Sequence, residues 1–287
     1  MIKFDFKKHI LDVVGQQHKV MNTIAGENYF DLTTNKDRVI RLENTLYDEC
    51  SELLNSFNWK HWKDVNGKHD LKNALTESAD LLHFISTIIL IAKYNSSDKQ
   101  DAEVIKYLEL DIDQLKTISN NVDDLFNNYK RNVAIGRLPA PDTLSKEDTI
   151  NIVTGYITSV NEVAVYANSY YTDGTIYNIL TERNNRVDND IADNVLLFTS
   201  FKLIVETYIL CDYLGIGDPD ELRSAYMAKA VLNTFRVQNG YAEGTYIKIW
   251  DGQEDNEVLH SILEEDSSLT GDALLNKLEE RYSSIRK

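Results

Sequence analysis

Two short acidic segments, Glu49-Cys50-Ser51-Glu52 and Glu77-Ser78-Ala79-Asp80, carry the side chains of this chain best suited to chemistry. In each, two carboxylates stand three residues apart, a spacing that sends both from one side of a helix. Each pair is set in apolar surroundings: Leu46, Leu53, Leu54 and Phe57 around the first, and Leu81, Leu82, Phe84, Ile85, Ile88 and Ile89 around the second. Carboxylates this close to a core-facing stripe are costly to bury unless something neutralises them. Either pair alone reads as an ordinary solvated helix face. Two pairs on consecutive helices can bring four carboxylates to one point, and an all-oxygen set of that kind suits Mg2+ or Mn2+ rather than zinc.

A second constellation lies far along the chain. Lys229, Asn233 and Arg236 follow one another at spacings of four and three, which puts them on one helix face. The next stretch, Tyr241 to Trp250, bears glycine, aromatic residues and Lys248. In so acidic a chain, a local concentration of Lys229, Arg236 and Lys248 suits a polyanion such as a triphosphate. With the carboxylates it describes metal-assisted attack on a phosphoanhydride. His83, three residues beyond Asp80, reads more readily as a satisfied core histidine than as a partner of the carboxylates, and Trp59 and Trp62 more readily as core or interface than as a platform for a base. The chain holds no Walker loop, no GxSxG and no HExxH.

These side chains need helices to hold them. Residues 6–25 carry Ile10, Val13, Val14, Gln17, Met21 and Ile24 along one side and end near Gly26. Periodicity predicts a second helix from about Asp37 to Phe57, a loop with the turn signal Asn66-Gly67, and a third helix over 71–94. So short a loop favours antiparallel neighbours, which would set the two acidic faces side by side. Residues 95–150 are polar, with helical segments at Val104–Leu110 and Leu115–Tyr129, and Gly136–Pro141 is the clearest break. Helical periodicity returns over 146–170 and 190–214, with an exposed connection expected between them at Tyr170–Asn189. Asp218-Pro219-Asp220 opens a helix over 219–238, and 257–287 predicts one or two amphipathic helices.

Only three prolines and 12 glycines occur in 287 residues, too few turn residues for a many-stranded fold. The expectation is an all-α antiparallel helical bundle forming one catalytic domain over 1–287. Its core helices span about 6–94 and 195–250, with a middle helical subregion at about 95–190. A net charge of -16 argues against nucleic acid or an anionic membrane as partner. Cys50 and Cys211 lack CxxC spacing and read as reduced thiols. The N-terminus has no signal-peptide core, and the apolar run Phe84–Ala92 is too short to span a bilayer. A soluble cytoplasmic or nuclear protein is expected.

The residues also resemble a known family. Glu49-Cys-Ser-Glu52-Leu-Leu with Ser56-Phe-Asn-Trp-Lys-His-Trp-Lys63 resembles the first signature of the dimeric, all-α dUTPases, within the wider MazG-like nucleotide pyrophosphohydrolases. Glu77-Ser-Ala-Asp80-Leu-Leu-His-Phe84 resembles their second metal motif. Lys229 to Arg236 with Gly240, Tyr241, Gly244, Tyr246, Lys248 and Glu254-Asp255-Asn256 resembles their C-terminal substrate motif, and Gln17 with Gly26 and Asn28 resembles their uracil-contacting segment. Ala230, Val237 and Ala242 stand where the family commonly has polar residues.

The resemblance implies Mg2+-dependent hydrolysis of dUTP, and of dUDP, by a homodimer using two or more ions per site. Glu49, Glu52, Glu77 and Asp80 would hold the metal, with Glu49 activating the water. Lys229, Arg236, Tyr241 and Lys248, with Gly240 in the same motif, would bind phosphates. Gln17, Asn233 and Asn256 would address base or sugar, with Trp62 packing nearby. A free amide can pair with uracil or, turned over, with cytosine, so discrimination needs a second fixed contact. Two alternatives stand beside this reading: a related enzyme preferring dCTP or a damaged dNTP, and a non-catalytic helical interaction protein.

Overall fold

The computed structural model describes residues 4–5, 7–25, 35–60, 62–63, 67–96, 124–171 and 189–285. A single π-helical turn, Lys7–Leu11, leads into helix α1 (Asp12–Ala25). Helices α2 (Asn35–Ser56) and α3 (Leu71–Ser96) carry the two acidic pairs. Residues 124–134 are helical and are labelled α4. Then come α5 (Lys146–Tyr171), α6 (Asn189–Leu214) and α7 (Pro219–Gln238). A minimal antiparallel hairpin, β1 (Ile249–Trp250) with β2 (Gln253–Glu254), precedes α8 (Asp255–Glu265) and α9 (Gly271–Ile285). The expected signals at Gly26, Asn28, Asn66 and Val104–Leu110 lie outside the described residues, as do residues 172–188 of the expected connection.

Four helices close a ring: α2 packs on α3 and on α5, α5 on α6, and α6 back on α3. Leu46, Leu53 and Phe57 of α2, Leu81, Leu82 and Ile85 of α3, Val153 and Val160 of α5, and Phe201 and Ile204 of α6 fill its centre. Among the described residues, α3 holds the one stretch long and apolar enough to cross a membrane, Leu71–Ile91. That stretch is 78% buried inside the bundle, which marks it as the core helix. Cys50 and Cys211 are buried free thiols. Outside the ring, α1 and α7 pack against α3 and against each other.

Helix α7 starts where its sequence signals it. The Asp218 carboxylate accepts from the amides of Asp220 and Glu221, the Glu221 carboxylate accepts from the Asp218 amide, and Pro219 takes a first-turn position. Beyond its middle α7 leaves the main core and enters a second one. Leu232 and Phe235 pack there with Trp250, Leu259 and Ile262 of the hairpin and α8, and with Leu274, Leu278 and Tyr282 of α9. Phe235 meets Tyr282 and Trp250 edge-on at centroid distances of 5.3 and 5.7 Å. Tyr246 stacks on Tyr282 at 5.3 Å.

Phe235 is therefore the hinge pin between α7 and the C-terminal helices. Phe235→Ala opens a cavity at the centre of this cluster and should cost ~3–5 kcal/mol of stability in chemical denaturation. A loss of under about 1 kcal/mol would mean that the cluster collapses around the gap.

Candidate active site

The antiparallel packing of α2 on α3 does what the spacing predicts for three of the four acids. Glu49, Glu52 and Glu77 each offer a carboxylate oxygen within 4.8 Å of the others. Glu77 is buried and Glu49 half-buried, whereas Glu52 is exposed. The fourth acid, Asp80, adjoins them one turn beyond Glu77 and accepts a hydrogen bond of 2.7 Å from Lys229 Nζ. Lys229 itself is only 6% exposed, so one buried ammonium faces four carboxylates.

That imbalance shows in the protonation of the site. Burial first, and then the negative charge of Asp80, Glu52 and Glu77, push the Glu49 carboxyl up to about 8, with Lys229 pulling the other way. Burial and the charges of Asp80 and Glu52 raise Glu77 as well. Glu49 Oε2 is buried and has no hydrogen-bond partner among the described residues. An orphaned buried oxygen within a converging set of hard donors fits a divalent cation, whose charge would replace the missing compensation.

The predicted substrate residues fall into separate groups. Lys229 faces the carboxylates, but Arg236, two turns on, is committed elsewhere. Its Nε and Nη2 donate to the two oxygens of Asp255 at 2.8 and 2.7 Å, and further N–H groups reach Asn233 Oδ1 at 3.1 Å and Asn256 Oδ1 at 3.3 Å. Asp255 is 0% exposed and also accepts from the Tyr246 hydroxyl at 2.8 Å. Burial pushes the Asp255 carboxyl up, but the hydrogen bonds and charge of Arg236 and the Tyr246 hydroxyl outweigh it and hold it below its ordinary range. The pair ties α7 to the start of α8, and it gathers Asn233 and Asn256 about one guanidinium.

Lys248 is exposed and pairs with Glu254 at 3.4 Å across the hairpin. Tyr241 is 53% exposed, with the Arg236 guanidinium 5.9 Å from its ring centroid. Gly240 turns the chain out of α7 at φ 88°, and a Cβ there would stand 2.0 Å from Thr245 Oγ1, so only glycine fits. Trp62 is 62% exposed and meets Trp59 edge-on at 5.5 Å. Gln17 is 3% exposed, and its amide bonds to His83, Thr87 and Tyr226. A cleft of about 590 Å3 between α3, α7, α8 and the α8–α9 turn has Lys229 and Asn256 in its wall beside Leu75, Ala79 and Leu259. Glu49, Glu52 and Glu77 do not line it.

Sequence reasoning missed the partners. Thr87 and Tyr226 carried no signal as partners of Gln17, whereas His83, read as a core histidine, is buried and bonds Gln17 through Nδ1. Asp255 stood inside a quoted motif without a role. Thr87 at four residues after His83 was the available clue, since that spacing allows a hydroxyl to bond the earlier carbonyl.

The raised Glu49 carboxyl gives the cation-free protein a pH dependence of known sign. Between its ordinary value of 4.5 and its folded value of about 8 the native state binds the extra proton, so the stabilisation is full below the first and is lost as pH rises through the second. Melting temperature in a chelator should therefore fall from about pH 5 to about pH 9. Glu49→Gln should flatten that fall, and a divalent cation should oppose it at the alkaline end. A melting temperature that rises over this range would exclude the assignment.

Comparison with known proteins agrees with the geometry. A protein-family model described as dUTPase matches residues 9–241. No curated protein matches the chain.

Proposed function

The chain belongs to the dUTPase family and is a dUTP diphosphatase, and from that premise we propose that it releases diphosphate from dUTP by Mg2+-assisted water attack directed by Glu49. dUTPases generally use a divalent metal, and Glu49, Glu52, Glu77 and Asp80 are the residues that would hold it. When bound, Mg2+ supplies positive charge at the phosphate oxygens and favours the ionised carboxylates. The observation that carries this reading is the meeting of Glu49, Glu52 and Glu77 within 4.8 Å beside the ion pair of buried Lys229 with half-buried Asp80.

Each residue then has a task. Glu49 Oε2, buried and unpaired among the described residues, takes the proton of the attacking water. The water oxygen bonds to phosphorus of the bridge between the α- and β-phosphates, the bridging P–O bond breaks, and dUMP and diphosphate leave. Lys229 exchanges its contact with Asp80 for a phosphate oxygen, which brings a cation to the substrate at the carboxylates. Arg236, already fixed by Asp255, holds Asn233 and Asn256 in place and offers its remaining edge, with Tyr241 and Lys248, to the outer phosphates. Gln17 contacts the base and Trp62 covers it. The same chemistry extends to dUDP, and the working form is an intracellular homodimer.

Turnover of the four canonical dNTPs and of dUTP, with and without Mg2+, tests the reading. dUTP should be the preferred substrate, and hydrolysis that persists in chelator would refute the metal. Glu49→Gln should lower kcat by about 100-fold or more while circular dichroism stays that of the parent protein. Lys229→Ala should chiefly raise KM for dUTP, by about tenfold or more, and an unchanged KM and kcat would remove it from the site.

A further inference from the structure

Gln17 on α1, His83 and Thr87 on α3, and Tyr226 on α7 are joined by buried hydrogen bonds whose direction follows from one proton. The Thr87 hydroxyl lies 2.9 Å from the His83 carbonyl, which can only accept, so Thr87 donates there. Its single proton is thereby spent, and Thr87 must accept from the Gln17 amide nitrogen 2.9 Å away. The Gln17 oxygen consequently faces His83 Nδ1 at 2.7 Å and the Tyr226 hydroxyl at 3.0 Å. Opposite an oxygen, Nδ1 carries the imidazole proton, and Nε2 is left as a bare lone pair. Nε2 is buried and has no hydrogen-bond partner among the described residues. Burial and the positive charges of Lys229 and Arg236 press the imidazole down to about 3, so the ring is neutral.

Among the described residues the network leaves two valences open, one amide N–H on Gln17 and one lone pair on His83. We propose that this pair reads the base: Gln17 donates to a ring carbonyl of uracil, His83 Nε2 accepts from N3–H, and Thr87 is the positioning residue that fixes this order of donor and acceptor. His83 stands one helical turn beyond Asp80, which puts the pair next to the carboxylates. Cytosine presents the opposite order, a lone pair at N3 and an amino group at C4. To match it, the Gln17 amide would turn over and the imidazole proton would move to Nε2. Tyr226 tolerates that change, because its proton can go to the Val13 carbonyl at 2.9 Å. Thr87 does not, because the turned Gln17 oxygen would meet its lone pairs unless Thr87 gave up its own bond to His83.

The inference rests on the reading of Gln17 as a base contact and adds what sets its sense. Thr87→Val removes the hydroxyl. The ratio of kcat/KM for dUTP to that for dCTP should fall by about tenfold or more, and Thr87→Ser should restore it. An unchanged ratio, or equal losses on both nucleotides, overturns the role of Thr87. Gln17→Ala separates the two layers. If the ratio is unchanged in Gln17→Ala, the base contact itself is wrong. If it changes there but not in Thr87→Val, only the lock is wrong. Should Thr87→Val fail to fold, 15N-histidine spectra of the unaltered protein read the tautomer directly: a proton on Nδ1 of His83 is expected, and a proton on Nε2 overturns the proposal.

Discussion

Four carboxylates held against one ammonium, inside a fold that cannot let them separate, set the terms for the rest of the molecule. Left to themselves Glu49, Glu52, Glu77 and Asp80 would move apart or point to water. They stay because the residues between them are the core: Leu46 and Leu53 on α2, and Leu81, Leu82 and Ile85 on α3, are all fully buried. Pulling the acids apart would unpack the α2–α3 seam. Part of the free energy of apolar burial thus sustains an electrostatic strain, visible in the raised Glu49 carboxyl and its unpaired oxygen. Carboxylates held this way would need little reorganisation to receive a cation of the kind proposed above.

Helix α7 distributes that arrangement. Along its length it sends the Tyr226 hydroxyl to Gln17, the Lys229 ammonium to Asp80, Phe235 into the C-terminal aromatic cluster and the Arg236 guanidinium to Asp255. Three of these four are polar contacts to different elements, so the helix cannot rotate to improve one without losing the others. The capping box at Asp218 fixes where its register begins. The hydrogen-bond network of Gln17, the carboxylates and the C-terminal aromatic cluster are thereby referred to one rod.

The sequence was legible where structure is local. Helical periodicity placed α2, α3, α6 and α7 to within a residue or two, and the three-residue spacing of the acids placed them on facing sides of α2 and α3. The two-residue strands of the hairpin were not foreseen, because alternation needs several residues before it can be read. Arg236, expected in sequence as a phosphate ligand, also has a buried partner that sequence does not show. Its partner, Asp255, comes 19 positions later, after a glycine turn and a hairpin. The amide of Gln17 was hardest of all: its partners lie 66, 70 and 209 positions away, and no local pattern encodes which way an amide faces.

The aromatic cluster about Phe235 bears on where this enzyme can be cut. The family-model match ends at residue 241, halfway through the turn that leaves α7, although the motif that resembles the family runs on to Asn256. The packing does not stop there, since Leu232 and Phe235 share their core with Trp250, Leu259, Ile262, Leu274, Leu278 and Tyr282, all further along the chain. A fragment trimmed to the matched span would keep every proposed metal ligand and still present an oily stripe to water, a surface that invites aggregation. The span that the family model matches is thus shorter than the smallest piece that can be expected to behave as a protein.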